Sequence, residues 1–124
     1  MPTSQVIKVV DLDQNTLSID SHHTVQSCRM DAGPPTTLEG LNIGLVTLEQ
    51  NPPHKGERHN DGDEILIVIS GKIEIETDTT RGTPSLVCAG QSAIILKGEW
   101  HQVNVVEKAQ LVYITPGENN EYRF

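Results

Sequence analysis

The chain has 124 residues, a length that suits one core and a single domain over 1–124, and it carries a net charge of −8 from 17 acidic and 9 basic side chains. That negative excess repels phosphate backbones and anionic lipid surfaces, so neither nucleic acid nor membrane is an expected partner. One Trp, two Tyr and one Phe give bases no stacking platform, and no apolar run approaches the ~18 residues of a bilayer span. The opening "MPTSQVIKVVDLD" lacks a basic patch followed by an apolar stretch, so a soluble, cytoplasmic protein is expected. Cys28 and Cys88 lack CxxC spacing and are expected as reduced, buried thiols, Cys88 in the core.

Ten Gly and seven Pro fall between short apolar runs, the punctuation of an all-β chain. "SQVIKVV" (4–10) predicts a strand that ends at "DLDQN". Residues 13–23 show no sustained helical period and offer at most one helical turn. "TVQSCRM" (24–30) predicts a strand closed by "DAGPP", and "LNIGLVTLE" (41–49) another closed by "QNPP". "EILIVIS" (64–70) is a β-branched run apolar on both faces, so each face needs cover: a barrel lining on one, a second sheet or partner subunit on the other. Gly71 is expected to turn the chain. "KIEIET" (72–77) then alternates, with Ile73 and Ile75 inward and the charged residues outward. After the loop "DTTRGTP" come strands at 85–89, 92–96, 101–106 and 110–115, and the tail from Pro116 onward is expected to be loose or docked late. The strand set predicts a sandwich or small barrel of short antiparallel strands.

Chemistry concentrates in "ERHNDGDE" (57–64), just before the doubly apolar run. Side chains two apart on an extended chain share a face, so Glu57 and His59 point together, and so does Lys55. "NDGD" bends the chain, and Glu64 opens the next strand. Strand, turn and strand can bring Glu57, His59 and Glu64 to one spot. A second segment, "GQSAIILKGEWHQVN" (90–104), sets His101 after a buried run and a "KG" turn. Histidines and carboxylates that converge inside a barrel are the ingredients of a divalent metal site.

These residues resemble the two motifs of the cupin superfamily. The first motif runs G-x5-H-x-H-x(3,4)-E-x6-G, and residues 57–71 offer Glu57-x-His59-x4-Glu64-x6-Gly71. The second runs G-x5-P-x-G-x2-H-x3-N, and residues 90–104 offer Gly90, Leu96 in place of the proline, Gly98 and His101, with Asn104 one residue early. The resemblance implies a jelly-roll β-barrel, commonly a homodimer, with a metal inside. It maps His59, Glu64 and His101 onto three ligand positions and places Glu57 where the fourth ligand is a histidine. The implied cofactor is one divalent transition metal: Fe, Mn, Ni or Zn.

Three readings of Glu57 stand open. It is a fourth ligand, so that two carboxylates cancel the dication's charge; or it is the catalytic base beside a triad of His59, Glu64 and His101; or the metal is absent and Glu57 pairs with Lys55 or Arg58. Two carboxylates held close without a cation would repel and take up a proton. Leu66 and Val68 share parity with Glu64 and line the pocket deeper in. Tyr113 either packs in the core or faces the pocket, and Arg29 is the one basic strand residue within reach of a pocket, its facing open. His54 should face away from His59, Trp100 away from the metal, and His22 and His23 toward solvent.

Two functions fit. One is a metal-dependent enzyme on a small organic substrate, by isomerisation, cyclisation, lyase chemistry or oxygenation. The other is a non-catalytic domain that binds or senses a small ligand with a degenerate metal site. The residues carry no nucleophile elbow, P-loop or dinucleotide fingerprint.

Overall fold

A computed structural model describes residues 6–30 and 38–124. Among these, the regular structure is antiparallel strand without helix. The strands in chain order are β1 (Asn15–Ile19), β2 (Val25–Arg29), β3 (Leu41–Leu48), β4 (Gly56–His59), β5 (Glu64–Thr77), β6 (Ser85–Cys88), β7 (Ser92–Ile95), β8 (His101–Pro116) and β9 (Asn120–Arg123). They form one curled sheet in the order β2-β1-β3-β8-β4-β9, with β5 laid along β8 and carrying β6 and β7. This is the all-β, jelly-roll-type architecture that the short alternating runs imply.

Two long strands organise the sheet. β8 pairs with β3 along Ala109–Pro116 and with β5 along most of its length, while its first residue, His101, lies opposite Glu57 of β4. β5 pairs with β7 through its first half and with β6 through its second. The inward faces of these strands make the core: Leu66, Val68, Ile73, Ile75, Val87, Ile95, Val103, Ala109 and Leu111. Burial alternates along Glu64, Leu66 and Val68, and again at Ile73 and Ile75, as the period of two requires.

Gly71 does not turn the chain. It lies inside β5, where the pairing with β8 shifts register at Val68–Ser70, Ser70–Lys72 and Lys72–Ile73. An irregularity of this kind bends a strand without ending it, which lets one strand serve both halves of a curled sheet. Gly71 adopts φ +79°, and a Cβ there would strike the Lys108 carbonyl on the neighbouring strand. Gly71→Ala is therefore expected to cost more than about 2 kcal/mol, read as a lower denaturant midpoint with an unchanged slope. A midpoint equal to the parent's would contradict this account of the bend.

Other expectations also change. Residues 101–106 and 110–115 are one strand, because Glu107 pairs with Lys72 of β5 and the buried Ala109 with Leu48 of β3, which carries the ladder across the gap. Residues 13–23 hold β1 rather than a helical turn, since β2 and β3 supply partners on both of its edges. The tail is not loose: β9 pairs with β4 from Gly56↔Arg123 to His59↔Asn120. The strand expected at 4–10 is not formed within residues 6–10, where Val6 and Val9 are 94% and 96% exposed; residues 4 and 5, like the "DAGPP" turn, lie outside the described residues. Cys28 and Cys88 are free thiols, both half-buried rather than core.

Candidate metal centre

The openings of β5 and β8 and the whole of β4 meet at one point. β4 presents Glu57 and His59, the polar loop 60–63 returns the chain, and Glu64 begins β5. His101 begins β8 directly across from Glu57. The returning loop is fastened: the Asp61 carboxylate accepts from the backbone N–H groups of Glu118 and Asn119 and from the Asn119 side chain. Asp63 accepts from the Lys97 N–H. Both ends of the barrel mouth are thus tied to the loop that separates His59 from Glu64.

Glu57, His59, Glu64 and His101 each offer one donor atom, and the four atoms lie within 4.8 Å of one another. His59 Nε2 is 3.0 Å from Glu64 Oε2 and 3.6 Å from Glu57 Oε1. His101 Nε2 is 3.1 Å from Glu64 Oε1 and 3.3 Å from Glu57 Oε1. Donors around a cation at about 2.1 Å stand about 3.0 Å apart at octahedral corners and about 3.4 Å apart at tetrahedral ones, and the four histidine–carboxylate separations lie close to that range. Three of the four residues are buried, while the Glu57 side chain is 19% exposed and marks the way out.

The donors are held from behind. His59 Nδ1–H donates to Asn120 Oδ1 at 2.8 Å, and His101 Nδ1–H donates to the Glu99 carbonyl at 3.1 Å. Both acceptors fix the proton on Nδ1, which turns each Nε2 toward the centre. Thr115 Oγ1–H donates to Glu64 Oε2. The clearest sign of fit is His59 Nε2: it is buried 3.0 Å from Glu64 Oε2 and makes no hydrogen bond of its own. A cation between the four donors would satisfy it.

Without an ion, protons neutralise the cluster. Burial works against charge on His59, but the Glu57 and Glu64 carboxylates outweigh it and push the imidazole up to about 10. His101 is raised to about 9 by the same opposition of burial and paired carboxylates. Burial would raise Glu57, yet the two histidines pull it down to about 2, and Glu64 is also held below the usual carboxylate range against burial, by His101 and His59. Two carboxylates and two imidazoliums then sum to zero, as two carboxylates and a dication would.

Leu66 and Val68 continue inward from Glu64 into the core. Tyr113 is half-buried on the inner side of β8 and packs on that core. Arg29, whose facing the sequence left open, is exposed on the outermost strand β2, opposite Asn15. Trp100 points away from the centre, its ring 4.8 Å from the Arg58 guanidinium and 4.3 Å from that of Arg123. His22 and His23 are exposed. Glu57 pairs with histidines instead of Lys55 or Arg58, because Arg58 is taken by Glu121 at 2.8 Å. His54 does not face away: its Nε2 lies 3.8 Å from Glu57 Oε2, and its ring is tilted against Tyr122 at 5.3 Å. A loop rather than a strand precedes Gly56, so strand parity does not hold there.

The sequence reading missed Asn120 and Tyr122, which β9 brings to His59 and Glu57. The signal available was the period-two pair Asn120 and Tyr122 in a tail too polar to read as a strand. Burial first, then the carboxylates of Glu57 and Glu64, push the Tyr122 phenol up to about 12.

No family model and no curated protein matches the chain. Solved structures share its fold. An uncharacterized conserved protein with a double-stranded β-helix domain from Klebsiella pneumoniae aligns at 20% identity and TM-score 0.58, over 77% of this chain and 90% of that one. A cupin-2 domain containing protein from Shewanella frigidimarina aligns at 24% identity and TM-score 0.54, over 72% and 84%. Iron(II) HppE in complex with substrate aligns at 20% identity and TM-score 0.51, over 60% of this chain and 45% of that one. Among the described residues, no helix is long and apolar enough to cross a membrane.

Proposed function

We propose that this chain, which shares the fold of a cupin-2 domain protein and of a double-stranded β-helix protein, holds one divalent transition metal at Glu57, His59, Glu64 and His101 in an enzyme for a small organic substrate. The observation that carries the reading is the convergence of four donors from three strands, with the buried His59 Nε2 left without a hydrogen bond. HppE, a distant structural neighbour, is an iron(II) protein with a substrate, which supports a metal in this fold.

Bound there, the metal supplies Lewis acidity toward substrate oxygens, or dioxygen chemistry if it is Fe or Mn. The protein's own groups do the rest. Asn120 and the Glu99 carbonyl hold the imidazoles in one tautomer. Glu57 divides its work between two oxygens: Oε1 faces both histidines, and Oε2 faces His54 near the exposed rim. Oε1 thus completes the donor set, while Oε2 and His54 stand where a proton can be exchanged with a substrate entering from solvent. Isomerisation, cyclisation, lyase and oxygenation reactions all fit this arrangement. The same reading takes a small molecule as partner and a cytoplasmic homodimer as the form of the protein; exposed Ile94 and Leu96 on and just after β7 supply apolar surface for a second subunit.

A second reading is a ligand-binding domain that no longer takes a metal, favoured by the charge neutrality that two protons already give the cluster. Elemental analysis separates the two. Purified without chelator or histidine tag, the chain is expected to carry near one mole of metal per mole, and less than about half a mole would favour the metal-free domain. Glu57→Ala is expected to lower metal affinity by at least the about 10–100-fold that loss of an outer partner costs, while His59, Glu64 and His101 still bind weakly. Parent-like affinity would remove Glu57 from the donor set.

A further inference from the structure

Tyr113 carries a buried hydroxyl that nothing in the site described so far uses. It lies on the inner face of β8, between Leu111 and Thr115, and opposite Leu66 of β5. Thr115, two residues along the same face, bonds to Glu64. The Tyr113 hydroxyl has no hydrogen-bond partner. Burying a hydroxyl unpaired lowers stability, and phenylalanine would fill nearly the same volume without that loss. Packing alone therefore does not explain a tyrosine here.

The backbone opposite is fitted to this ring. Gly44 of β3 is the register partner of Tyr113, and a Cβ on Gly44 would collide with the Tyr113 ring carbon Cζ and the hydroxyl oxygen. Gly44 is not in the left-handed region, so no turn calls for a glycine, and glycine inside a strand weakens it. The missing side chain makes room for the phenol. Burial, followed by the fields of Glu64 and Glu57, raises the phenol above its ordinary 10.0. It therefore stays protonated at neutral pH and offers a donor. Glu57 Oε2 and His54 stand at the rim, and the Tyr113 hydroxyl is a buried donor that neither they nor the four centre residues engage.

We propose that Tyr113 is a ligand-recognition residue whose hydroxyl donates to an oxygen of a small molecule bound at the Glu57, His59, Glu64 and His101 centre. The ligand class that serves both is a compact molecule with adjacent oxygen acceptors, such as a 2-oxo or 2-hydroxy carboxylate: one oxygen for the cation, a neighbour for the phenol. The ligand class rests on the metal reading above; the unpaired hydroxyl does not.

The test compares the parent with Tyr113→Phe, with oxalate as probe on the zinc-loaded chains. The expected result is equal zinc content, oxalate binding weaker by about tenfold or more, and a metal-free melting temperature of Tyr113→Phe at or above the parent's. A stabilised variant that binds its probe more weakly is not what loss of a structural hydrogen bond produces. Oxalate affinities within about twofold of each other, or a metal-free Tyr113→Phe that melts several degrees lower, overturn the proposal. A parent that takes up no zinc contradicts the metal reading instead. The metal-free melting comparison then decides on its own: a lower value for Tyr113→Phe overturns a recognition role, and an equal or higher one supports it.

Discussion

Glu64→Ala is expected to lower the unfolding free energy of the metal-free chain by about 3–5 kcal/mol and to weaken metal binding by more than the about 10–100-fold that loss of an outer partner costs. Glu64 is the most heavily used acceptor of the centre. It takes the Thr115 hydroxyl and lies 3.0 Å and 3.1 Å from the two imidazole Nε2 atoms, all in buried surroundings. Its removal leaves two buried imidazoliums with one partly exposed carboxylate between them, and it leaves the Thr115 hydroxyl without its acceptor. Breaking one side of a buried pair costs far more than replacing the whole cluster with apolar groups. Urea unfolding of chelator-treated protein and competition against a chromophoric chelator read the two effects. A parent-like unfolding midpoint would mean that the cluster does not hold the barrel mouth together.

Metal uptake at pH 7 is expected to release close to two protons per ion, and affinity is expected to rise about 100-fold per pH unit near neutrality. In the metal-free centre His59 is raised to about 10 and His101 to about 9, so both are protonated at pH 7. A metal needs both Nε2 lone pairs, so it must displace both protons. The stability of the metal-free chain follows the same shifts. Each histidine is raised above its ordinary 6.5, so its contribution is full below that value and is lost as pH climbs through about 9 to 10. Glu57 is lowered from 4.5 to about 2, so its contribution is full above 4.5 and is lost as pH falls through about 2. The cluster thus stabilises the metal-free fold most between 4.5 and 6.5, whereas the metal-loaded chain gains with rising pH. Calorimetry in buffers of different ionisation enthalpy counts the protons. Near-zero release would show that the imidazoles are neutral before the metal arrives.

How far the sequence could be read depends on which force places each element. "EILIVIS" and "KIEIET" were legible because burial of alternate side chains is written into a period of two, and the structure buries Ile73 and Ile75 as that period requires. The convergence of Glu57, His59 and Glu64 was legible because strand parity and a polar turn operate over only eight residues. β1 and β9 were not legible. "NTLSI" and "NEYR" carry little apolar signal, and each is a strand only because distant strands offer it hydrogen-bonding edges, β2 and β3 for one and β4 for the other. Asn120 and Tyr122 were lost with β9, and with them the groups that orient His59 and sit opposite Glu57. Gly71 misled because the left-handed conformation that suits a turn also suits a bend within a strand. The role of Gly44 is invisible without its partner across the sheet, since only the register sets Tyr113 above it.

The most direct measurement is X-ray absorption at the metal edge of the loaded chain, paired with the Glu57→Ala and His59→Ala variants. One ion per chain is expected, with two imidazole nitrogens and carboxylate oxygens at about 2.0–2.2 Å, a carboxylate contribution lost in Glu57→Ala and an imidazole contribution lost in His59→Ala. An ion whose surroundings are the same in parent and both variants, or a chain that binds none, would contradict the assignment of Glu57, His59, Glu64 and His101 to a single cation.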